Sequence, residues 1–306
     1  MAAAPSMNND AGIRGSVLLT GPTGFLGSYI LHKLVAIGQP VVALKRSFSD
    51  MTRVCSIAQK VRFYDVDRVA LDDVFSQNKI EMVVHCATNY GRRPIPPSEV
   101  VESNLILPLR LLQSATRYDV PCFINTDTIL DKRVSHYSLS KRQFVDWLEL
   151  FSDRMVCINV ALEHFYGPTD DRSKFVTRII LDLLNDVESI DLTGGHQRRD
   201  FIFIDDVIDA FVRIIEFSRG VARSFYRFEV GSEELVSIRE FVVLAQELTG
   251  ALSTRLNFGA IPYRNHEVME SRVDTSALRQ LGWAPRVGLR QGLEATVEAE
   301  RQRSES

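Results

Sequence analysis

The sequence predicts an α/β fold built on a doubly wound parallel sheet, with a smaller α/β part towards the C-terminus. Two observations predict it. Short apolar runs alternate with amphipathic, helix-like segments through the first 160 residues, and a glycine-rich turn follows the first run. Strands that alternate with helices form βαβ units, in which the strands lie parallel and the helices cover both faces of the sheet.

Six strands are expected in this first part, at 16–20, 41–44, 61–64, 82–85, 122–125 and 155–160. Each is a short run rich in apolar and β-branched residues. Helices are expected at 29–37, 71–77, 100–117 and 138–151. Beyond residue 160 the alternation is less regular, and we expect a strand at 200–204 and helices at 174–184 and 206–217.

The sequence favours a cytoplasmic protein, and we expect no metal site. The chain has 306 residues, 45% of them hydrophobic, and a net charge of −3. A near-neutral charge gives no electrostatic reason to expect nucleic acid or an acidic membrane as a partner. The four cysteines are scattered, as expected for reduced thiols. The N-terminal stretch lacks the apolar core of a signal peptide, and no stretch approaches the roughly 18 apolar residues of a membrane span.

The glycine-rich turn predicts a dinucleotide site. Gly21, Gly24 and Gly27 follow the first strand in a Gly-x-x-Gly-x-x-Gly spacing. Gly21 permits a tight turn, Gly24 lets the backbone approach a phosphate, and Gly27 lets the helix pack closely on the strand. Backbone N–H groups and the positive end of the helix dipole then meet at one point, where a pyrophosphate fits. The alternative is a strand–helix turn without a ligand.

The end of the second strand favours NADP(H) over NAD(H), although NAD(H) stays possible. An acidic residue there accepts hydrogen bonds from the ribose 2′-hydroxyl of NAD. This sequence has Lys45, Arg46 and Ser47 instead. Two cations and a hydroxyl suit a 2′-phosphate. The alternative is a solvated strand end.

Tyr137 and Lys141 predict proton transfer. They lie four residues apart in a helical segment, so the ammonium and the phenol share a face of the helix. A nearby cation favours the phenolate, and we therefore expect Lys141 to lower the pKa of Tyr137. Such a phenol can act as an acid towards a carbonyl oxygen that receives a hydride, or as a base in reverse. The same spacing also occurs by chance on helix surfaces.

With these motifs the chain resembles the extended short-chain dehydrogenases/reductases, specifically the NAD-dependent epimerase/dehydratase family, over residues 16–294. The resemblance implies a Rossmann-type sheet, a C-terminal substrate-binding part and a nucleotide-sugar substrate. It implies cofactor contacts at Gly21, Thr23, Gly24, Phe25, Leu26, Gly27, Lys45, Arg46, Asp65, Val66, Cys86, Ala87, Thr88, Tyr137, Lys141, Leu162 and His164.

The resemblance also implies Thr126 as a third catalytic residue, whose hydroxyl would bond O4 of the sugar, and Asn104 as a structural residue. It implies substrate contacts at Thr126, Asp127, Thr128, His164, Lys174, Arg199 and Arg264. Arg199 and Arg264 resemble clamps for a nucleotide diphosphate. Alternatives stay open: Thr126 as the cap of a turn, both arginines as surface cations, and His164 as a core histidine.

Departures from the family pattern narrow the expected activity. A 4,6-dehydratase keeps an Asp-Glu pair after its catalytic Thr, whereas this chain has Asp127 and Thr128. The segments around Thr126, Tyr137 and His164 look most like the CDP-abequose synthase branch, whose members reduce a C4 ketone. The resemblance thus implies NADPH-dependent reduction of the C4 ketone of a CDP- or dTDP-linked 4-keto-6-deoxy or 3,6-dideoxy hexose.

Two other functions stay open: a nucleotide-sugar 4-epimerase with bound NAD, and a non-enzymatic regulator that senses NADPH. A reductase for a small aldehyde or flavonoid is disfavoured, because it would not need Arg199 and Arg264. The presence of Tyr137 and Lys141 weighs against the regulator.

For the domain organisation we expect a dinucleotide-binding domain at 14–165, to which the chain returns at 199–231. The substrate-binding part would comprise 166–198 and 232–296, and flexible tails 1–13 and 298–306. The helices at 100–117 and 138–151 resemble the pair that forms the dimer interface in this family, which implies a homodimer.

Overall fold

The structure is a computed structural model that describes residues 15–92, 94–264 and 267–304. The strands of the described residues are β1 (Ser16–Thr20), β2 (Val41–Lys45), β3 (Arg62–Asp65), β4 (Ile80–His85), β5 (Cys122–Thr128), β6 (Val156–Leu162), β7 (His164–Tyr166), β8 (Ser189–Leu192), β9 (Arg198–Phe203), β10 (Phe225–Val230), β11 (Leu235–Ser237) and β12 (Arg255–Phe258). The α-helices are α1 (Phe25–Ala36), α2 (Leu71–Gln77), α3 (Pro97–Val101), α4 (Leu107–Arg117), α5 (His136–Glu149), α6 (Phe175–Leu184), α7 (Ile204–Ser218), α8 (Ile238–Thr249), α9 (Ser276–Gln280) and α10 (Leu289–Ser304).

The predicted doubly wound sheet is confirmed. Seven parallel strands lie in the order β10-β6-β5-β4-β1-β2-β3. The strand order reverses between β1 and β4, which leaves a crevice beyond their carboxyl ends, where ligands of such sheets bind. Val17, Leu18 and Leu19 of β1 have no exposed surface, as expected for a central strand with helices on both faces.

Two smaller sheets lie beyond residue 160. One has the order β11-β9-β7, and the other pairs β8 with β12 in parallel. Within the stretch 199–231, β10 completes the main sheet and α7 contacts α1, whereas β9 belongs to a small sheet. No helix of the described residues has the length and apolar character that a bilayer crossing requires.

The predicted helix at 100–117 is three consecutive segments. Helix α3 starts with Pro97 at its first position, where a missing N–H costs nothing. A π-helical turn, Glu102–Ile106, then leads into α4. This turn carries Asn104, which is fully buried. π-helical turns are frequent at functional sites, and the apolar pattern of the sequence did not predict this one.

The C-terminus also differs from the expectation. We predicted a flexible tail at 298–306, but α10 continues to Ser304. Glu300 is fully buried, and its carboxylate accepts a hydrogen bond from the backbone N–H of Thr169 (2.9 Å) and pairs with Arg303. This anchor holds the last turns of the helix. The tail expected at 1–13 and residues 305–306 lie outside the described residues.

Candidate active site

The turn between β1 and α1 is a cradle that only glycine can form. Gly21 has a φ of +66°, and a Cβ atom there would lie 2.8 Å from the backbone nitrogen of Ala87. A Cβ atom on Gly27 would lie 2.0 Å from the backbone oxygen of Gly21. The predicted tight turn and close helix packing are therefore both present.

The start of α1 is available to an anion. Gly24 is its N-cap, no side chain among the described residues caps it, and its first turn has no acidic residue. Phe25 and Leu26, whose N–H groups belong to this first turn, are buried. The carbonyl oxygen of Thr23 accepts a hydrogen bond from Arg53 (3.2 Å), which also donates to the carbonyl oxygen of Thr169 (2.7 Å). The residues present fit the pyrophosphate of a dinucleotide.

The predicted 2′-phosphate contacts are only partly available. Lys45 pairs with the carboxylate of Asp65, and Ser47 hydrogen-bonds through its N–H and hydroxyl to Asp67. Arg46 is exposed and forms no ion pair within the described part of the chain; its guanidinium lies 5.3 Å from the ring of Phe48. Of the two cations, Arg46 is therefore the one more available to bind a phosphate. Asp65, which is itself a predicted cofactor contact, is paired with Lys45.

The neighbouring Val66 continues the strand pairing, since its N–H donates to the carbonyl oxygen of Lys45 (2.7 Å). This contact holds the β3 end against the β2 end, where an adenosine would lie in folds of this type.

Thr20 fixes the loop after β4. Its Oγ1 accepts hydrogen bonds from the N–H groups of Cys86 and Ala87 (3.1 Å each) and lies 2.8 Å from Nδ1 of His85. Its hydroxyl proton therefore faces Nδ1, which assigns the neutral ring proton to Nε2. Burial and the charge of Lys141 hold the pKa of His85 well below its usual value. Burial raises the pKa of the Cys86 thiol to about 12, so it is not a nucleophile.

Asn104 links this loop to helix α5 (His136–Glu149). Its side-chain oxygen accepts from the hydroxyl of Thr88 (3.2 Å) and the N–H of Asn89 (2.7 Å). Its amide nitrogen donates to the carbonyl oxygen of Asn89 (2.9 Å) and to Oγ of Ser140 (3.1 Å), which lies on α5. The loop and the helix are thereby held in a fixed relation, as the resemblance to the family implied for Asn104.

Helix α5 places Tyr137 and Lys141 one turn apart. The helix begins with a capping box between Ser135 and Ser138. Lys141 is 1% exposed, and its Nζ has no hydrogen-bond partner among the residues that the structure describes. Burial lowers its pKa. An unpartnered buried ammonium is costly, and the hydroxyls of a nicotinamide ribose would satisfy it.

The expected lowering of the Tyr137 pKa does not occur in this structure, although Lys141 lies one turn away. The pKa of Tyr137 lies well above its usual value of 10, because burial disfavours the phenolate and the charges of Tyr90 and Asp127 act in the same direction. A hydrogen bond with Thr128 acts the opposite way but is the weaker effect. Tyr137 is therefore a protonated phenol, the form that can donate a proton.

The strand next to this helix carries the predicted threonine. Thr126 is buried, and its hydroxyl donates to the carbonyl oxygen of His85 (3.0 Å), so its lone pairs remain to accept hydrogen bonds. The carboxylate of Asp127 accepts from Asn159 (2.9 Å) on β6. The hydroxyl of Thr128 accepts from the N–H of Leu130 (3.2 Å).

The end of β6 brings a residue that sequence reasoning did not select. Leu162 is buried, and His164 is partly exposed with its Nδ1 2.8 Å from the carboxylate of Glu163. Glu163 is 5% exposed and also accepts a hydrogen bond from Ser271. An acidic residue inside the largely apolar run of β6 and β7 is the signal that could have revealed it.

Lys174, a predicted substrate contact, forms an ion pair within the protein. Its Nζ lies 2.9 Å from the carboxylate of buried Asp170, and 4.4 and 5.1 Å from the ring centres of Phe165 and Phe25. Burial raises the pKa of Asp170 despite the ammonium beside it. Lys174 stabilises the contact between the cofactor turn and the segment that precedes α6.

The two predicted clamps lie close to each other. Arg199 on β9 is 7% exposed, pairs with Glu267 and donates to the carbonyl oxygen of Arg198 (2.8 Å). Burial lowers its pKa, and the charge of Arg264 acts in the same direction. Arg264 is exposed, and its carbonyl oxygen accepts from the N–H of Glu267 (3.1 Å). Two neighbouring guanidinium groups suit a diphosphate.

Comparisons with known proteins agree with this geometry. Residues 17–231 match the NAD dependent epimerase/dehydratase family. A CDP-abequose synthase of Salmonella muenchen is 33% identical over 290 residues, which cover 92% of this chain and 96% of that one. A UDP-glucose 4-epimerase of Mycolicibacterium smegmatis is 28% identical and covers 94% of this chain and 99% of its own.

Among solved structures, MoeE5 in complex with UDP-glucuronic acid and NAD superposes with a TM-score of 0.81 at 25% identity, over 94% of this chain and all of that one. The chain therefore belongs to the NAD dependent epimerase/dehydratase family and is an NAD(P)-dependent enzyme of the extended short-chain dehydrogenase/reductase type.

Proposed function

We propose that this protein reduces the C4 ketone of a nucleotide-linked deoxysugar with NADPH. The observation that carries the proposal is the pairing on α5 of a protonated, partly buried Tyr137 with the ammonium of Lys141, which has no partner among the described residues. A phenol in this form is suited to give a proton to an oxygen on which negative charge develops. The likeness to the Salmonella muenchen CDP-abequose synthase supports the same class of substrate.

In this proposal the residues have separate roles. When bound, the reduced nicotinamide supplies a hydride. Tyr137 donates its phenolic proton to the C4 oxygen, and Lys141 stabilises the phenolate by its charge and binds the hydroxyls of the nicotinamide ribose. Thr126 binds near the same oxygen. The cradle of Gly21, Gly24 and Gly27 holds the pyrophosphate.

The substrate's nucleotide is held in the second part of the chain. Arg199 and Arg264 bind the diphosphate through charge-assisted hydrogen bonds, and His164 contacts the sugar. We propose that residues 14–165 and 199–231 form the dinucleotide-binding domain and that 166–198 and 232–296 form the substrate-binding part, with His164 and Arg199 reaching the substrate from the first of these. This assignment places the reaction at the carboxyl ends of the central strands.

Preference for NADPH rests on Arg46, whose guanidinium is exposed at the end of β2. The pairing of Lys45 with Asp65 weakens this preference, because one of the two expected cations is partly neutralised. That observation favours a second candidate, a nucleotide-sugar 4-epimerase that keeps NAD bound. The likeness to the Mycolicibacterium smegmatis epimerase supports the same candidate.

We further propose a cytoplasmic homodimer formed through α4 and α5. Leu139 and Trp147 of α5, with Leu150 just after it, are 41%, 45% and 72% exposed. Their spacing of eight and three residues places them along one side of the helix. An apolar stripe of this kind is typical of a surface that another subunit covers. Light scattering of the wild type and of Trp147→Lys, which should be monomeric, tests this.

The activity is tested by following NADPH oxidation at 340 nm, the nicotinamide absorbance, with CDP- and dTDP-linked 4-keto-6-deoxy hexoses and their 3-deoxy forms. Stoichiometric oxidation with one of them establishes a 4-ketoreductase. Interconversion of C4 epimers with added NAD, without net oxidation, establishes the epimerase. No turnover in either assay, with NADPH binding intact, favours the non-enzymatic regulator.

A further inference from the structure

Glu163 is a buried carboxylate to which the proposed mechanism gives no role. It lies between β6 and β7 and is 5% exposed. One of its oxygens lies 2.8 Å from Nδ1 of His164, and the other accepts a hydrogen bond from the hydroxyl of Ser271. A buried carboxylate is costly unless it is hydrogen-bonded. Here each of its two oxygens has a partner.

This arrangement determines which nitrogen of His164 carries a proton. An ionised carboxylate only accepts hydrogen bonds, so Nδ1 is protonated, and in the neutral ring Nε2 is then a hydrogen-bond acceptor. The ring also packs edge-on against Phe201, with 5.9 Å between the ring centres. Its orientation is thus fixed on two sides, while 37% of the side chain stays exposed.

We propose that Glu163 is a positioning residue that holds His164 with Nδ1 protonated, so that Nε2 accepts a hydrogen bond from a hydroxyl group of the substrate's sugar. The proposal rests on the proposed function, which gives the protein a nucleotide-linked sugar as substrate. Substrates that keep this hydroxyl would bind more tightly than those that lack it.

The same carboxylate connects the sugar contact to the diphosphate contact. Its charge acts on Arg199, which pairs with Glu267. Ser271, the second partner of Glu163, lies four residues after Glu267 in the same segment. Glu163 therefore anchors the segment that carries the partner of Arg199.

A double-mutant cycle tests the proposal. It compares Glu163→Gln, His164→Ala and the double variant, with Glu270→Gln as the control, because Glu270 lies in the same segment but is exposed and pairs with Arg272. The measured quantity is the Kd for the CDP-linked 6-deoxyhexose by calorimetry, beside the Kd for NADPH. Each single change should raise the sugar-nucleotide Kd about tenfold, and Glu163→Gln should leave NADPH binding unaltered.

The double variant should bind no more weakly than His164→Ala alone, because the amide of Glu163→Gln can still bond Ser271, so that its effect on the sugar acts through His164. Effects that multiply in the double variant would overturn the proposal and make Glu163 a purely structural residue. Failure of the wild type to bind any nucleotide sugar would also overturn it.

The nitrogen resonances of ¹⁵N-labelled histidine give a second readout that needs no turnover. Nδ1 of His164, assigned by the signal lost in His164→Ala, should be protonated in the wild type. It should become a mixture in Glu163→Gln, because an amide offers both a donor and an acceptor. An unprotonated Nδ1 in the wild type refutes the proposal. Protonated Nδ1 and intact sugar-nucleotide binding without ketone reduction support the proposal while refuting the reductase.

Discussion

The backbone oxygen of Gly21 lies 2.0 Å from the position that a Cβ atom on Gly27 would occupy. No flexible side chain can move to relieve this contact. Gly27→Ala should therefore shift the turn, lower the melting temperature and abolish NADPH binding. Gly24→Ala is the matched control, since a Cβ there meets its nearest atom at 3.4 Å and its φ of −74° suits alanine.

For Gly24→Ala we expect an unchanged melting temperature but weaker NADPH binding, because the added methyl group lies where a phosphate would approach the backbone. Thermal unfolding and fluorescence titration of NADPH measure the two effects separately. Equal stability of both variants would contradict the contact between Gly21 and Gly27.

Tyr137→Phe should lower kcat for ketone reduction by roughly 10²–10⁴-fold and leave NADPH binding intact. The pKa of Tyr137 is raised above 10, so the phenol stays protonated throughout the neutral and mildly alkaline range. The wild-type kcat for reduction should therefore show no loss from ionisation of Tyr137 below pH 10. A decline near pH 7 that disappears in Tyr137→Phe would refute this assignment.

Lys141→Met should raise the melting temperature while it abolishes activity. The change removes a buried ammonium that has no partner in the described residues, and such a charge destabilises the fold. Because burial lowers the pKa of Lys141, the folded state binds this proton less readily than the unfolded state does. The free energy of unfolding of the wild type should then rise with pH between the lowered pKa and 10.5, and Lys141→Met should lack this increase.

Lys174→Met should have the opposite effect on stability. It leaves the buried carboxylate of Asp170 without its ammonium partner, and loss of one partner of a buried ion pair costs about 3–5 kcal/mol. Arg178→Met, one turn later on α6 and exposed, should change the free energy of unfolding by less than about 0.5 kcal/mol. Urea unfolding of the two variants decides the point, and equal stabilities would show that the pair contributes little.

Arg46→Ala should raise the Kd for NADPH about tenfold or more while leaving that for NADH unchanged, since a hydrogen-bonded charge contributes about 1.5–3 kcal/mol. Lys45→Ala should have a smaller effect, because Lys45 is already paired with Asp65. Arg68→Ala, another exposed cation, serves as the control. A preference for NADH in the wild type would support the epimerase.

The sheet could be predicted from the sequence because its strands are short apolar runs set between amphipathic helices. The glycine turn could also be predicted from the sequence, because only glycine fits at positions 21 and 27. The features of the site that the sequence did not predict depend on contacts between residues that are distant in the chain. The pKa of Tyr137 follows from its burial and from Tyr90 and Asp127, none of which the spacing to Lys141 reveals.

The same limit explains the other differences. The family resemblance implies Lys174 as a substrate contact, and the end of the second strand suggests Lys45 as a phosphate contact. Asp170 and Asp65 pair with these cations only in the folded chain. The sequence did not indicate a role for Glu163, because its partner Ser271 lies 108 residues away in the chain. Charge patterns in a sequence indicate where cations lie but not which of them a ligand can reach.

The hydrogen bonds that anchor Thr169 determine when the cofactor site can form during synthesis. Arg53 joins the carbonyl oxygens of Thr23 and Thr169, and Thr169 is in turn held by Glu300. All seven strands of the central sheet have been synthesised once the chain reaches residue 230. The contact between Glu300 and Thr169, which supports the glycine turn through Arg53, forms only after α10 has been synthesised. A ribosome-bound chain can therefore have its full sheet before it has a finished cofactor site.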